Sequence, residues 1–253
     1  VYTDGVDERD VYDDLGAVLC NDARDQQGRD GAENRYDWTI YVNGEEVFDG
    51  DNNAEDALKT EAFKSSGNYI PADNEKDDYQ FTGKGAQTEI YIDEGAQTVR
   101  VVEINYYLGQ VSSVRENSDG QYAVVREISD LSDDNAKLDD NDFYTSEFAK
   151  NDYVVYTIDQ NADDDFYICE MMAPETVDGT VTRVDKDDVS RDAYLYLDEE
   201  TRYNYSGKGH MAYDLNDDDD NDHPTLDEDY TLYLDPNGYV LGYAGDTSVS
   251  YLY

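Results

Sequence analysis

Asp217, Asp219 and Asn221 stand at alternate positions of the acidic run 216–222, and Glu228 takes the twelfth place counted from Asp217. Asp159, Asn161 and Asp163 repeat that spacing, with Glu170 twelfth. Clustered carboxylate and amide oxygens are the ligands a hard cation takes, so Ca2+ binding is the chemistry these positions offer. An EF-hand needs glycine at the sixth place for its sharp turn. Here that place holds Asp222 in one run and Asp164 in the other, and Pro224 interrupts the first. The expectation is therefore irregular Ca2+ sites in acidic loops, set against a solvated acidic surface with no ion. In so acidic a chain, such spacing also arises by chance.

Other chemistries lack their residues. His210 and His223 are the only histidines, and neither lies in an HExxH arrangement or beside a cysteine. No GxSxG or SxxK sequence and no Cys-His context supports nucleophilic catalysis. Gly83-Lys84-Gly85 and Gly207-Lys208-Gly209 lack the further glycines and the strand–helix setting of a phosphate loop. Carboxylates are so frequent that no pair stands out for glycoside hydrolysis. We therefore expect no enzyme. Cys20 and Cys169 are far apart, which leaves a disulfide between modules or two separate buried thiols. Asn204-Tyr205-Ser206 has the spacing of a glycosylation sequon.

The charge narrows the partners. The 253 residues carry 18 Lys+Arg against 62 Asp+Glu, a formal net charge of −44. Nucleic acid is excluded as an expected partner, because phosphate binding needs clustered Lys and Arg. Anionic membrane surfaces repel such a chain, and no stretch reaches transmembrane length, so no membrane insertion is expected. Self-repulsion calls for cations, either divalent ions outside the cell or very high salt. Low hydropathy with high charge usually means disorder. The 25 Tyr, many at alternating positions, argue for folded β modules, since each ring buries area and keeps its hydroxyl wet. The chain opens at Val1 without Met or a signal segment, as a processed product does.

Three stretches repeat one pattern: residues 88–114, 153–184 and 230–253. Each holds an alternating strand, a turn and a second strand; in the first two, Gly109-x-Val111 and Gly179-x-Val181 open a further strand. Repeated β units point to a modular surface or assembly protein. Ahead of them, Asn43-Gly44 between alternating apolar positions signals a hairpin through Trp38 and Phe48. Asn53 caps an expected short helix over 54–63, and 143–150 is expected to form a helical turn that packs Phe148 under a barrel. The expected fold is all-β: mainly strands, one or two short helices, and tandem small β-barrel or sandwich modules at 1–108, 109–178 and 179–253.

The phrases VVEINYYLGQVSSV, DGTVTRVD, YTLYLDPNGYVLGY and TIYVNGEEV resemble the β-rich repeats of clostridial S-layer-homology-domain surface proteins. The resemblance covers about two thirds of the chain, from Gln87 onward most clearly. It implies a cell-surface location, a structural role in the envelope and β modules in tandem. The chain departs from that family in having no SLH anchoring motif and in its acidity.

The expected function is a structural, self-assembling extracellular protein, a subunit of a filament or S-layer-like lattice. Ser248, Val249, Ser250, Tyr251, Leu252 and Tyr253 match the Gly-x-Val strands in register and form an uncharged strand that needs a partner. Head-to-tail addition of this strand to the first module of another copy supplies one, and cations can bridge the acidic copies. The other reading of the strand is pairing within its own third module, or a chain that continues. A different class, a Ca2+-dependent adhesin or carbohydrate-binding module array facing cell wall or glycan, rests on Tyr-rich faces and on Trp38.

Overall fold

The computed structural model describes residues 37–50, 85–93, 95–96, 98–128, 137–185, 194–207, 213–215 and 224–245. Among them there is no helix, and all regular structure is strand. The chain divides into two compact units, 1–105 and 106–253.

The first unit holds a four-stranded sheet. Strands β1 (Asp37–Val42) and β2 (Glu45–Gly50) form the expected hairpin, and β3 (Gln87–Asp93) and β4 (Thr98–Ile104) form a second; the order is β2-β1-β4-β3. Asn43 and Gly44 sit at φ 50° and 83°, the left-handed pair that a two-residue hairpin turn matching strand twist requires. The hairpins meet through parallel β1 and β4. A buried polar knot pins that junction: Asn43 Oδ1 accepts from the Asn105 backbone N–H at 3.2 Å, and Asn105 Nδ2 donates to Glu103 Oε1 at 3.1 Å. Ile40, Val99 and Val101 are wholly buried on one face.

The second unit contains two sheets built to one plan. The first comprises β5 (Tyr107–Asn117), β6 (Gly120–Glu127), β7 (Asp142–Tyr144), β8 (Tyr153–Gln160) and β9 (Phe166–Met172), in the order β7-β6-β5-β8-β9. The next comprises β10 (Glu175–Asp185), β11 (Tyr194–Leu197), β12 (Thr201–Asn204), β13 (Tyr213–Asp214), β14 (Asp229–Leu234) and β15 (Val240–Gly245), in the order β12-β11-β10-β14-β15-β13. In both, an eleven-residue strand bonds one neighbour along its first half and another along its second. Gly109 faces Val154 on β8, and Gly179 faces Tyr230 on β14. Both hairpins carry a bulge at the same place, Thr157/Ile158 and Tyr233/Leu234, which tightens twist and curls the sheet over its core.

The all-β expectation holds, and two finer points change. None of the sheets closes into a barrel. Single parallel bridges, Asp140 to Tyr167 and Tyr205 to Val240, stand where full ladders would close them. The 143–150 segment is no helical turn: Phe143 pairs with Ala123 as part of β7, because its backbone completes an open sheet edge. Phe148 does pack against the core formed by Tyr107, Val125, Val154 and Tyr156. The expected 54–63 helix lies outside the described residues. The two sheets of this unit meet through buried Leu108, Val155 and Leu241, with Tyr153 and Tyr233 edge to face at 4.9 Å.

The Gly-x-Val signature now has a cause. A Cβ on Gly109 falls 2.6 Å from Val125 Cγ1 and 3.0 Å from the Tyr156 ring, both fully buried. On Gly179 it meets the exposed Asp198 carboxylate at 3.0 Å and Leu197 at 3.2 Å. Replacing Gly109 by Ala should destabilise the chain by about 1–3 kcal/mol through overpacking. Gly179→Ala should cost less, since its nearest neighbours stand at 3.0 Å or more and Asp198 can move at the loss of its bond from the Thr180 amide. Denaturant midpoints of the two variants check the ranking, and equal midpoints would remove this reason for the motif.

Candidate functional site

The hairpins β3–β4, β8–β9 and β14–β15 are one element used three times, and their first strands superpose by sequence on a shared aspartate: Asp93, Asp159 and Asp235. Asp93 and Asp235 close their own turns, whereas Asn161 closes the turn after Asp159. Asp93 Oδ1 accepts from the Gly95 and Ala96 amides, both at 2.9 Å. Asp159 accepts from the Gln160 amide at 2.9 Å and from the Tyr167 hydroxyl at 3.3 Å. Asp235 accepts from the Asn237 and Tyr239 amides at 2.8 and 2.9 Å.

Counting back from that aspartate gives the geometry of assembly. Thr88 stands where Val154 and Tyr230 stand, the positions that face Gly109 and Gly179. Ile90 stands where Tyr156 and Leu232 stand, opposite Tyr107 and Val177. In the second unit this side of the hairpin is filled by β5 or β10. In the first unit β3 has β4 on one side and, among the described residues, no strand on the other. Of the few large hydrophobics exposed among the described residues, two lie here: Tyr91 at 54% and Ile92 at 37%. They point to opposite faces, as neighbours on a strand do: Ile92 shares its face with Ile90 and Thr88, while Tyr91 shares the other with Asp93 and with Glu89, to which its hydroxyl donates. Thr88 is wholly buried, so the part of this edge that stands exposed is residues 91–93. Such an edge is a template for another strand.

The donor residues Ser248, Val249, Ser250, Tyr251, Leu252 and Tyr253 lie outside the described residues, as do Asp217, Asp219, Asn221 and the Trp38 side chain. Glu228 is exposed just before β14, and its carbonyl accepts from the Val181 amide at 2.9 Å. The other acidic run is a tight hairpin and not a twelve-residue ion loop. Asn161 Oδ1 accepts from the Asp163 amide at 2.8 Å and the Asp165 amide at 3.1 Å, while Glu170 lies on β9 opposite Thr157. Asp163 is exposed in that turn. Among the described residues no three His, Cys, Asp or Glu side chains converge as metal ligands. Cys169 is a free, exposed thiol on β9, which corrects both the disulfide and the buried-thiol expectation for this residue. Burial, Asp159 and Glu170 push its pKa up, so it is a sluggish nucleophile.

No family model matches the chain, and no curated protein matches it. Among solved structures it is similar to a multidomain protein with nucleic acid binding domains from Streptococcus pneumoniae TIGR4. That likeness has 13% identity, 68% of this chain covered and a TM-score of 0.18. The match spans 62% of that protein's chain. A superposition so loose carries no argument about fold or function.

Asp235 is the site residue that spacing motifs missed, although its threefold repetition was visible. It is 1% exposed, and its Oδ2 has no hydrogen-bond partner. Burial pushes its pKa up to about 7 against the Tyr239, Asn237 and Gly238 backbone groups, which pull it down. The folded state therefore keeps a proton that the unfolded chain releases near pH 4. Stability is full below that point and falls as pH rises toward 7, by on the order of 4 kcal/mol. Asp235→Asn cannot ionise, so its stability relative to wild type should rise across this window and level off above it. Urea unfolding of both proteins from pH 4 to 8, as a difference, measures this; parallel curves would contradict it.

Proposed function

We propose that this chain is a structural, self-assembling extracellular protein, a subunit of a filament or S-layer-like lattice whose copies join by β-strand addition. The observation that supports it best is the β3 edge. Two hairpins of the same design hold a Gly-x-Val strand against their first strand, in one register. The third hairpin, β3–β4, presents the equivalent edge with Tyr91 and Ile92 exposed. The segment 248–253 has the matching pattern and no charge. Added antiparallel along β3, it covers Ile90 and Ile92 on one face and Tyr91 on the other. Main-chain hydrogen bonds give the joint its strength, and alternate side chains set its register. A donor at one end and an acceptor at the other make a heterologous contact that propagates.

Charge sets the conditions. Copies at −44 repel one another, so screening by Ca2+ or high salt favours the joint. Electron microscopy of the purified chain at micromolar concentration, with and without Ca2+, should show filaments or sheets, more extensive with the ion. Deleting 247–253 should leave folded monomers. Ile92→Lys, a charge at an already exposed edge position, should weaken assembly without unfolding the chain. Normal assembly by the deleted chain would refute the joint.

A further inference from the structure

We infer that the outer face of β10–β11–β12 is a carboxylate-binding surface whose partner is an acidic segment of a second copy of this chain. Sheet register puts two rows of side chains on that face. Arg183, Tyr196 and Arg202 lie directly opposite one another across the three strands. Asp185, Tyr194 and Asn204 form the next row. The other side of the same strands carries Val184, Leu195 and Tyr203, packed into or against the core.

Both guanidinium groups converge on one ring. Arg202 Cζ lies 3.9 Å from the Tyr194 centroid and Arg183 Cζ 5.5 Å from it, with Tyr196 also within 5.9 Å of Arg183. Arg183 is held further by its Nη2, which donates to the Tyr194 hydroxyl at 2.9 Å and to Asp185 at 3.2 Å. Arg202 is bound only along its back edge, Nε donating to Asn204 Oδ1 at 2.9 Å. Among the described residues neither of its terminal nitrogens meets an acceptor. The guanidinium is thus stacked on an aromatic ring, fixed at Nε, and left with its two-pronged donor edge open. Such a fork matches a carboxylate in bidentate geometry, and its rotamer is set before the partner arrives. β12 is also the edge strand of its sheet, so an extended segment can approach from the side.

Charge complementarity selects the partner. Lys and Arg number 18 in a chain with 62 acidic residues, so a preorganised Arg pair contrasts with the rest of the surface. Within the chain Asp185 already serves Arg183, so the open fork of Arg202 is left for a neighbouring copy, in which residues 216–222 carry the densest acidic run. This choice of partner rests on the self-assembly proposed above; the site itself does not, and the contact is separate from the β3 joint.

The test uses a fluorescent peptide of residues 216–222 with the full-length chain, read by anisotropy at low ionic strength. Binding should weaken roughly tenfold in Arg202→Gln, and less in Arg202→Lys, which keeps charge without the fork. Arg126→Gln, an exposed arginine elsewhere, should bind as wild type does. Equal binding by wild type and Arg202→Gln overturns the inference. A galacturonate oligomer bound in an Arg202-dependent way, with the peptide unbound, overturns the second copy as partner. Deleting 247–253 should abolish assembly and leave peptide binding intact. Loss of peptide binding on that deletion overturns the separateness of the two contacts.

Discussion

The shared strand is the constraint on which the second unit depends. β5 and β10 each serve two neighbours, so each must bend midway while keeping hydrogen bonds on both sides. Bulges at Val111/Ser113 and Val181/Arg183 supply the bend. Just before them, Gly109 and Gly179 let facing side chains come closer than a Cβ permits. That closeness seats Val125 and Tyr156 in one core and Leu197 in the other. Gly-x-Val recurs at this junction in both sheets while much else in the sequence drifts.

The local parts of this design were legible. Asn43-Gly44 named its turn, and alternation marked the stretches 88–114, 153–184 and 230–253 that hold β3, β4, β8, β9, β14 and β15. The non-local parts left no local trace. Parallel pairing of β1 with β4 joins segments some sixty residues apart and depends on neither one's pattern. β7 is three residues long amid polar neighbours, and Phe143 became a strand residue only because β6 offered an edge. The Arg–Tyr grid was not legible. It exists because register brings residues 183, 196 and 202 side by side, and no spacing rule encodes that.

The acidic residues show the same limit. Asp159 and Asn161 have ligand spacing, yet the backbone amides of their own hairpin reach those oxygens first. An Asx turn and an ion site use the same atoms, and in a tight loop the amides are covalently close at hand. Spacing alone therefore does not separate an Asx turn from a cation site in a short hairpin.

Repulsion between copies must be met by an attraction that charge does not weaken. The main-chain hydrogen bonds proposed along β3 would satisfy that condition: they form between neutral groups, and apolar side chains flanking them gain from high salt as well as from burial. An ion pair at Arg202 has the opposite salt response, strongest when screening is low. Two contacts with opposite dependence keep an assembly joined over a wider range of ionic strength than either alone. In the proposed assembly of a chain at −44, that division of labour would fall to the Tyr91–Ile92 edge and to the arginine pair.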